Sequence, residues 1–584
     1  MEKYRQIWKK TIYDALLNIA PDAAAVRAAF TPDSIPAETP PDPALGDIAF
    51  PMFPFAKLLK SAPAKIAGLV EPLAASPTGR ARAAGPYLNV ALDRPAVFRE
   101  VFGRVLEEGA AYGKNDSQAG ARIMLEFSSP NTNKPLHLGH LRNDALGECA
   151  ASLLKRCGAE VLKVNLVNDR GIHICKSMLA YNKFGAGKTP ESEGVKSDHF
   201  VGDYYVKFAQ WAKEDPDAEN QARALLKLWE AGDPETIILW EKMNRWATEG
   251  HKRTYEATGV SFDRYYFEHD TYQAGREVIL KGLEKGLFFR KEDNSVWVDL
   301  TGDGLDQKVL LRGDGTSLYV TQDIGTAVKR AADWPFDRLI FVTGNEQIYH
   351  FQMLFIVLKK LGYPWAHKLR HLPYGMVNLP EGKMKSREGT VVDADDLLEE
   401  LTADAVEEIK AREREGEIGD LPGTARKIAL GAMNYFLLAF APHKDIVFDP
   451  KESISFNGDT GPYLQYTGAR LSSILRKYEE RKARYERGKV DYSLLRESDE
   501  WELAKRFADF PALVAKAAAD LDPSAITAFL YDCAKLFAHY YHDHQVLGND
   551  DAGLVLTRLE LVKVLREVLR SGFALVGVPF LDAM

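Results

Sequence analysis

One stretch confines the middle of this chain to a strand that turns abruptly into a helix: Ser128-Ser-Pro-Asn-Thr-Asn-Lys-Pro-Leu-His-Leu-Gly-His-Leu-Arg142. The apolar run Arg122-Ile-Met-Leu-Glu-Phe127 before it reads as a buried strand. After it, Leu146, Ala150, Leu153 and Leu154 recur at helical spacing over Asn143–Lys155. His137 and His140 then fall in the first turns of that helix, on one face. Gly139 between them leaves room for a flat ligand against the backbone. The positive end of a helix, with its free N–H groups, suits phosphate.

The chain has 584 residues, too many for one core, so several domains are expected. With 46% hydrophobic and 27% charged residues it has the composition of ordinary globular protein. Its formal charge of −8 excludes a generally basic nucleic-acid coat, so any RNA surface must concentrate its cations locally. Cys149, Cys157, Cys175 and Cys533 form no Cys-x-x-Cys pair, which argues against structural zinc, a metal centre or a disulfide framework. No secretory leader opens the sequence, and no run reaches the ~18 apolar residues of a membrane span. A cytoplasmic, membrane-free protein is expected.

Residues 5–20 read as an amphipathic helix, followed by a proline-rich loop, and residues 1–110 as a separate α+β domain. Within 119–390, Val161–Val167, Arg338–Thr343 and His371–Val377 are strand candidates alternating with helical patterns, the signature of a parallel α/β sheet. A charged, Trp-containing helical stretch at about 180–262 reads as an insertion in it. Residues 391–450 read as a helical stem and 451–584 as an all-α module, with no strands after about 390.

Gly382-Lys-Met-Lys-Ser-Arg-Glu-Gly389 is a second basic, glycine-bounded loop, suited to bringing cations over a polyphosphate. Together these two segments resemble the paired signatures of class I aminoacyl-tRNA synthetases, in the form used by arginyl-tRNA synthetases. The resemblance implies a Rossmann-type catalytic domain, an N-terminal domain for the tRNA elbow and a helical anticodon-binding domain. It implies an arginine–tRNA ligase: ATP with Mg²⁺ and L-arginine give arginyl-adenylate, and tRNA(Arg) takes the arginyl group. tRNA would have to bind before activation, and a monomer suffices.

Residue by residue, the resemblance implies that His137, His140, Lys134, Lys385 and Arg387 carry catalysis. ATP would also meet Gly139, Lys383 and Ser386, and its adenine the backbone of Gly375-Met376-Val377, at the end of a strand. Glu126, Tyr319 and Asp323 would hold the arginine side chain, a guanidinium being best matched by carboxylates in a fork. Tyr319 and Asp323, four apart, would share one side of a helical turn. Ser129 and Asn131 would hold its α-amino and carboxylate ends, and Gln347 matches a glutamine at the same pocket. Where the family commonly has Thr-Arg-Asp, this chain has Thr321-Gln322-Asp323.

The helix around Gly461-Pro-Tyr-Leu-Gln-Tyr-Thr-Gly-Ala-Arg470 continues into a basic run, and cations with interleaved tyrosines suit phosphate and unstacked bases. Tyr463 and Arg470 match anticodon-contacting positions of the family, with Tyr541 and Met584 near two more. Tyr87 and Asn89 would face the tRNA elbow. Two rivals are a class I synthetase for another amino acid and a non-catalytic RNA-binding relative. The first is disfavoured by Glu126 and Asp323, the second by the intact histidines.

Overall fold

The computed structural model describes residues 1–584 except 186, 317, 381–391, 413–415 and 417. Its contacts divide into two units. One comprises Lys114–Tyr466, Val514–Phe529 and Gly572–Met584; the other comprises Met1–Gly113, Thr467–Leu513 and Leu530–Ser571.

The first unit is built on five parallel strands. They are β1 (Arg122–Glu126), β2 (Glu160–Val167), β3 (Arg264–Phe267), β7 (Arg338–Gly344) and β8 (Leu369–Tyr374). Their order is β8-β7-β1-β2-β3, so the winding reverses between β1 and β7. In such sheets a ligand cleft opens beyond the carboxyl ends of the strands at that reversal. Glu126 ends one of these two strands and Gly344 the other.

Both faces of the sheet are apolar because helices cover both. Met124, Val164, Tyr266, Leu339 and Phe341 pack with Ile324 and Leu354 of the covering helices. Each such side chain contributes roughly 1.5–3 kcal/mol on full burial. Helix α1 (Leu138–Arg156) follows β1. A Cβ at Gly147 would lie 2.2 Å from the Phe127 ring, so glycine lets α1 reach the end of β1.

Between β2 and β3 come α2 (Ile172–Phe184), α3 (Ser197–Glu214), α4 (Ala218–Glu230) and α5 (Pro234–Thr258). Their own core includes Met178, Phe200, Tyr204, Trp240 and Trp246. Helix α6 (Glu268–Glu284) follows β3. A small antiparallel sheet that the sequence patterns did not suggest comes next: β4 (Phe289–Arg290), β5 (Val296–Val298) and β6 (Lys308–Leu311). Helix α7 (Tyr319–Asp333) crosses α6 so closely that a Cβ on Gly275 would meet the Thr321 carbonyl oxygen at 1.9 Å. Helix α8 (Ile348–Lys360) links β7 to β8.

Strands do not end at 390. β9 (Val377–Asn378) pairs in parallel with β10 (Ile446–Val447). Two-residue strands have no periodicity to read: Val377 falls at the end of the expected strand His371–Val377, while Ile446–Val447 falls within the expected helical stem. Helices α9 (Ala394–Ala411) and α10 (Leu421–Leu438) lie between them in sequence.

In the second unit, a four-stranded antiparallel sheet runs in the order Ile48–Pro51, Tyr87–Leu92, Gly79–Ala84, Ala75–Ser76. Helix Arg94–Glu108 brings Phe98 edge-on to Trp501 at 5.6 Å and Phe102 edge-on to Tyr492 at 5.7 Å.

Candidate active site

A cavity of about 670 Å³ opens at the β1–β7 reversal, lined among others by Glu126, Ser129, Asn131, Lys134, His137, Gly139, His140, Asp323, Gln347, His350, Met376 and Val377. Lys383, Lys385, Ser386 and Arg387 lie outside the described residues.

The histidines do not sit at an open helix end. His137 is the N-cap of α1, and its Nδ1 accepts from the Gly139 amide at 3.1 Å. His140 Nδ1 in turn accepts from the His137 amide at 3.2 Å. The Leu138 amide donates to Val392 O, and the His140 and Leu141 amides to His137 O. The free N–H groups expected for phosphate are therefore all taken, because the imidazoles form a reciprocal capping box. This fixes each ring with its proton on Nε2, as a donor. Burial and the charge of Lys134 push His137 down to about 4, and burial pushes His140 well below the ordinary histidine value. Both are neutral N–H donors at pH 7. A Cβ at Gly139 would press on the His137 ring, 3.0 Å from its Cε1, so that the ring would have to shift by a few tenths of an ångström.

After Glu126 the chain is strained. Ser128 (φ 71°) and Ser129 (φ 49°) are both left-handed, at a cost of about 1–3 kcal/mol each. The Ser128 amide donates to Asn143 Oδ1 at 2.5 Å, its hydroxyl meets Tyr255 Oη at 2.7 Å, and Asn168 Nδ2 donates to Ser129 O at 2.9 Å. The kink turns the Ser129 hydroxyl back to donate to Glu126 Oε1 at 3.4 Å. Glu126 itself is buried, and its other oxygen, Oε2, accepts from Nη1 of buried Arg330 on α7.

Asp323, the fifth residue of α7, is no cap. It lines the cavity, and its Oδ2 meets His350 Nε2 on α8 at 2.6 Å. Burial lowers the basicity of His350, but the hydrogen bond and charge of Asp323 outweigh it, and the net shift is upward. Tyr319 does not join Asp323 in the cavity. It opens α7, is 68% exposed, and lines a neighbouring depression with Arg170, Glu268, Arg312 and Gln322. Side chains in a first turn lean back beyond the helix end, so four-residue spacing did not bring the two together. Gln347 ends a short 3₁₀ turn on the cavity rim.

Gly375–Val377 do not end a strand; β8 stops at Tyr374. Beyond it the chain is held by Arg142, fully buried, whose guanidinium donates to four carbonyls: Gly375 at 2.9 Å, Met376 at 3.3 Å, Pro442 at 3.1 Å and Lys444 at 2.8 Å. The Gly375 amide is also taken, by Pro442 O, and the Met376 amide by Asp445 Oδ1. Ladder bonds to β10 use the Met376 and Asn378 carbonyls, so the amide and carbonyl of Val377 turn the other way.

The segment after the basic loop is tied to the histidine turn. Leu138 N donates to Val392 O and Ala394 N to Leu136 O. Asp393 and Asp395 each accept at 3.3 Å from His199 Nε2 on α3, and Lys196 Nζ reaches Asp395 at 2.6 Å and Asp198 at 3.0 Å. Hydrogen bonds to Asp393 and Asp395 push His199 up to about 10. Those from His199 and Lys196 hold Asp395 down at about 2 against burial. Asp198, His199 and Asp395 have the spacing of a metal site, but cations of the protein already fill it.

Of the expected RNA-contacting residues, Arg470 lies 5.9 Å from the ring of Tyr541, and Tyr463 is half-buried. Tyr87 packs edge-on to exposed Phe53 at 5.8 Å, but Asn89 and Met584 are buried. Asn89 lies on the face of its strand opposite Leu88 and Val90, and it is buried there too, on a strand paired along both edges.

No sequence signal singled out Arg330, His199 or His350. Arg142 closes the very segment that carries the histidines, and a lone arginine among apolar helix positions was its one visible mark.

The family model described as tRNA synthetases class I (R), catalytic domain, matches residues 102–449. The Arginyl tRNA synthetase N terminal domain matches 6–92, and the DALR anticodon binding domain 464–584. The chain is similar to an arginine–tRNA ligase of Treponema denticola, 56% identical over 593 aligned residues that cover all of both chains. It is 44% identical to one of Borrelia hermsii over 94% of each. Arginyl-tRNA synthetase of Thermus thermophilus superposes with a TM-score of 0.78 at 28% identity, covering 99% of this chain and 100% of that one. No helix among the described residues is long and apolar enough to cross a membrane. The chain belongs to the arginyl-tRNA synthetases, class I aminoacyl-tRNA synthetases.

Proposed function

We propose that the 670 Å³ cavity is where this arginine–tRNA ligase joins L-arginine to ATP and passes the arginyl group to tRNA(Arg). One observation carries the reading. Two carboxylates, Glu126 and Asp323, and two neutral N–H donors, His137 and His140, line a single cavity. The arginine carboxylate attacks the α-phosphate of ATP in line, and pyrophosphate leaves. The 3′-terminal ribose hydroxyl of tRNA then attacks the adenylate carbonyl, and AMP leaves.

His137 and His140 donate from Nε2 to the α-phosphate oxygens as their charge grows, a positioned and electrostatic form of catalysis without a covalent enzyme intermediate. Lys134 adds charge at the same end. Mg²⁺ enters as part of the ATP substrate; Lys383, Lys385 and Arg387 would add positive charge to the leaving pyrophosphate, and Ser386 a hydroxyl hydrogen bond. The Val377 amide and carbonyl meet the adenine edge, beside Gly375 and Met376. Asp323 and Glu126 hold the cationic side chain, Ser129 and Asn131 orient the amino and carboxylate ends, and Gln347 lines the same pocket.

The N-terminal 1–110 and C-terminal 451–584 regions hold the tRNA elbow and anticodon, the latter through Tyr463, Arg470 and Tyr541. Catalysis belongs to 119–390 with its insertion, and 391–450 is the stem. A cytoplasmic monomer that activates arginine only with tRNA bound completes the reading.

Charging of tRNA with a panel of radiolabelled amino acids tests it. Arginine alone should be attached, and His140→Ala should slow the reaction by at least ~10²-fold. Charging with another amino acid, or with none, would overturn it.

A further inference from the structure

Arg330 is an unexpected neighbour for a pocket meant to receive a guanidinium. It is 1% exposed, and of its guanidinium nitrogens Nη1 engages Glu126 while Nε and Nη2 find no hydrogen-bond partner among the described residues. The group is held over the ring of Tyr266 at 4.9 Å and near that of Phe341 at 6.0 Å. A buried ion pair of this kind is poor value as a stabilising device, because desolvation consumes the attraction. An apolar pair would fill the same space.

We infer that Arg330 is a positioning residue for arginine recognition: it holds Glu126 ionised by taking Oε2, so that Oε1 alone, beside Ser129, faces the substrate. This rests on the reading of the cavity as the arginine site. Without the cation, Glu126 would sit between Val164 and Phe341 on the flanking strands, which bring no charge, and facing Asp323 of the same sign. His350 is already committed to Asp323, and Tyr266 contacts Arg330. Burial already draws Glu126 toward its neutral form, and Arg330 is the cation that opposes it. A neutral Glu126 would offer a cationic substrate a carboxylic acid where it needs a carboxylate.

The test uses the full-length enzyme with tRNA, measuring arginine and ATP KM, kcat and thermal unfolding from pH 6 to 9. Arg330→Met should raise arginine KM at least ~10-fold at pH 7, equivalent to about 1.4 kcal/mol. Its ATP KM should stay within about twofold of wild type. The ratio of variant to wild-type arginine KM should fall as pH rises, because Glu126 then ionises unaided. Arg330→Lys, which keeps the charge, should recover most of the loss, and adding Glu126→Gln to Arg330→Met should remove the pH dependence of the ratio. A ratio near one throughout, or a raised ratio that is flat with pH, would overturn the inference. Should Arg330→Met not fold, Arg330→Lys decides: a large, pH-independent rise in arginine KM contradicts the role, and a small one supports it. Wild-type enzyme that charges no tRNA with arginine would sink the proposed function instead, so the two failures are separable.

Discussion

His350 Nε2 and Asp323 Oδ2 lie 2.6 Å apart, tying α8 to α7 across the mouth of the cavity. Asp323 thus faces the cavity with one oxygen already oriented. Asp323→Asn should raise arginine KM by the equivalent of ~2–4 kcal/mol, the usual cost of removing one member of a desolvated charge pair. Steady-state charging at varied arginine would show it, and an unchanged KM and kcat would remove Asp323 from the pocket.

Arg142 is the donor common to four carbonyls on two separate stretches of chain. Arg142→Met should destabilise the protein by at least ~3 kcal/mol, since several buried acceptors lose a charged partner together. Chemical denaturation measures that loss. ATP KM should rise with it, because Met376 and Val377 would lose their fixed backbone.

His137 and His140 are held neutral, so neither should produce a titration step near pH 6.5 in kcat. His140→Ala should slow adenylate formation by ~10²–10³-fold, the typical cost of one preorganised donor. ATP–pyrophosphate exchange with tRNA present is the direct assay.

His199 has its pKa raised to about 10 by Asp393 and Asp395. The stabilisation from this cluster is therefore complete below the unfolded value of about 6.5 and is lost as pH climbs toward 10. His199→Gln should lower Tm at pH 7 and flatten its decline between pH 7 and 10. A variant whose Tm falls as steeply as wild type would show that the pair adds nothing.

Gly275 allows α6 to touch the first turns of α7. Gly275→Ala should cost ~1–3 kcal/mol in unfolding free energy by overpacking. Because α7 carries both Asp323 and Arg330, arginine KM should rise more than ATP KM.

Elements with a strong period were legible in the sequence. Four of the five parallel strands, the helical insertion and α1 follow directly from apolar runs and 3.6-residue repeats, whereas the short edge strand β3, Arg264–Phe267, was missed. The histidines, Glu126 and Asp323 were legible because they sit in or beside local motifs. Arg330, His350 and His199 were not, since their partners lie far along the chain and a lone Arg or His at a helical position carries no mark of what faces it. The reciprocal capping by His137 and His140 was hidden for a different reason: two imidazoles three apart say nothing about where their Nδ1 atoms point. Tyr319 was misplaced because spacing fixes a helical face but not which residue begins the helix.

The pairing of Leu136 and Leu138 with Val392 and Ala394, and the reach of Arg142 to Lys444, bear on synthesis. A nascent chain can fold β1, β2 and the helical insertion while still attached to the ribosome, domains forming from the N-terminal side as they emerge. It cannot close the histidine turn until Val392 has emerged, nor satisfy the Arg142 cation until Lys444 has followed. The histidine turn, near the start of the catalytic region in sequence, is therefore completed only after nearly all of that region has been made.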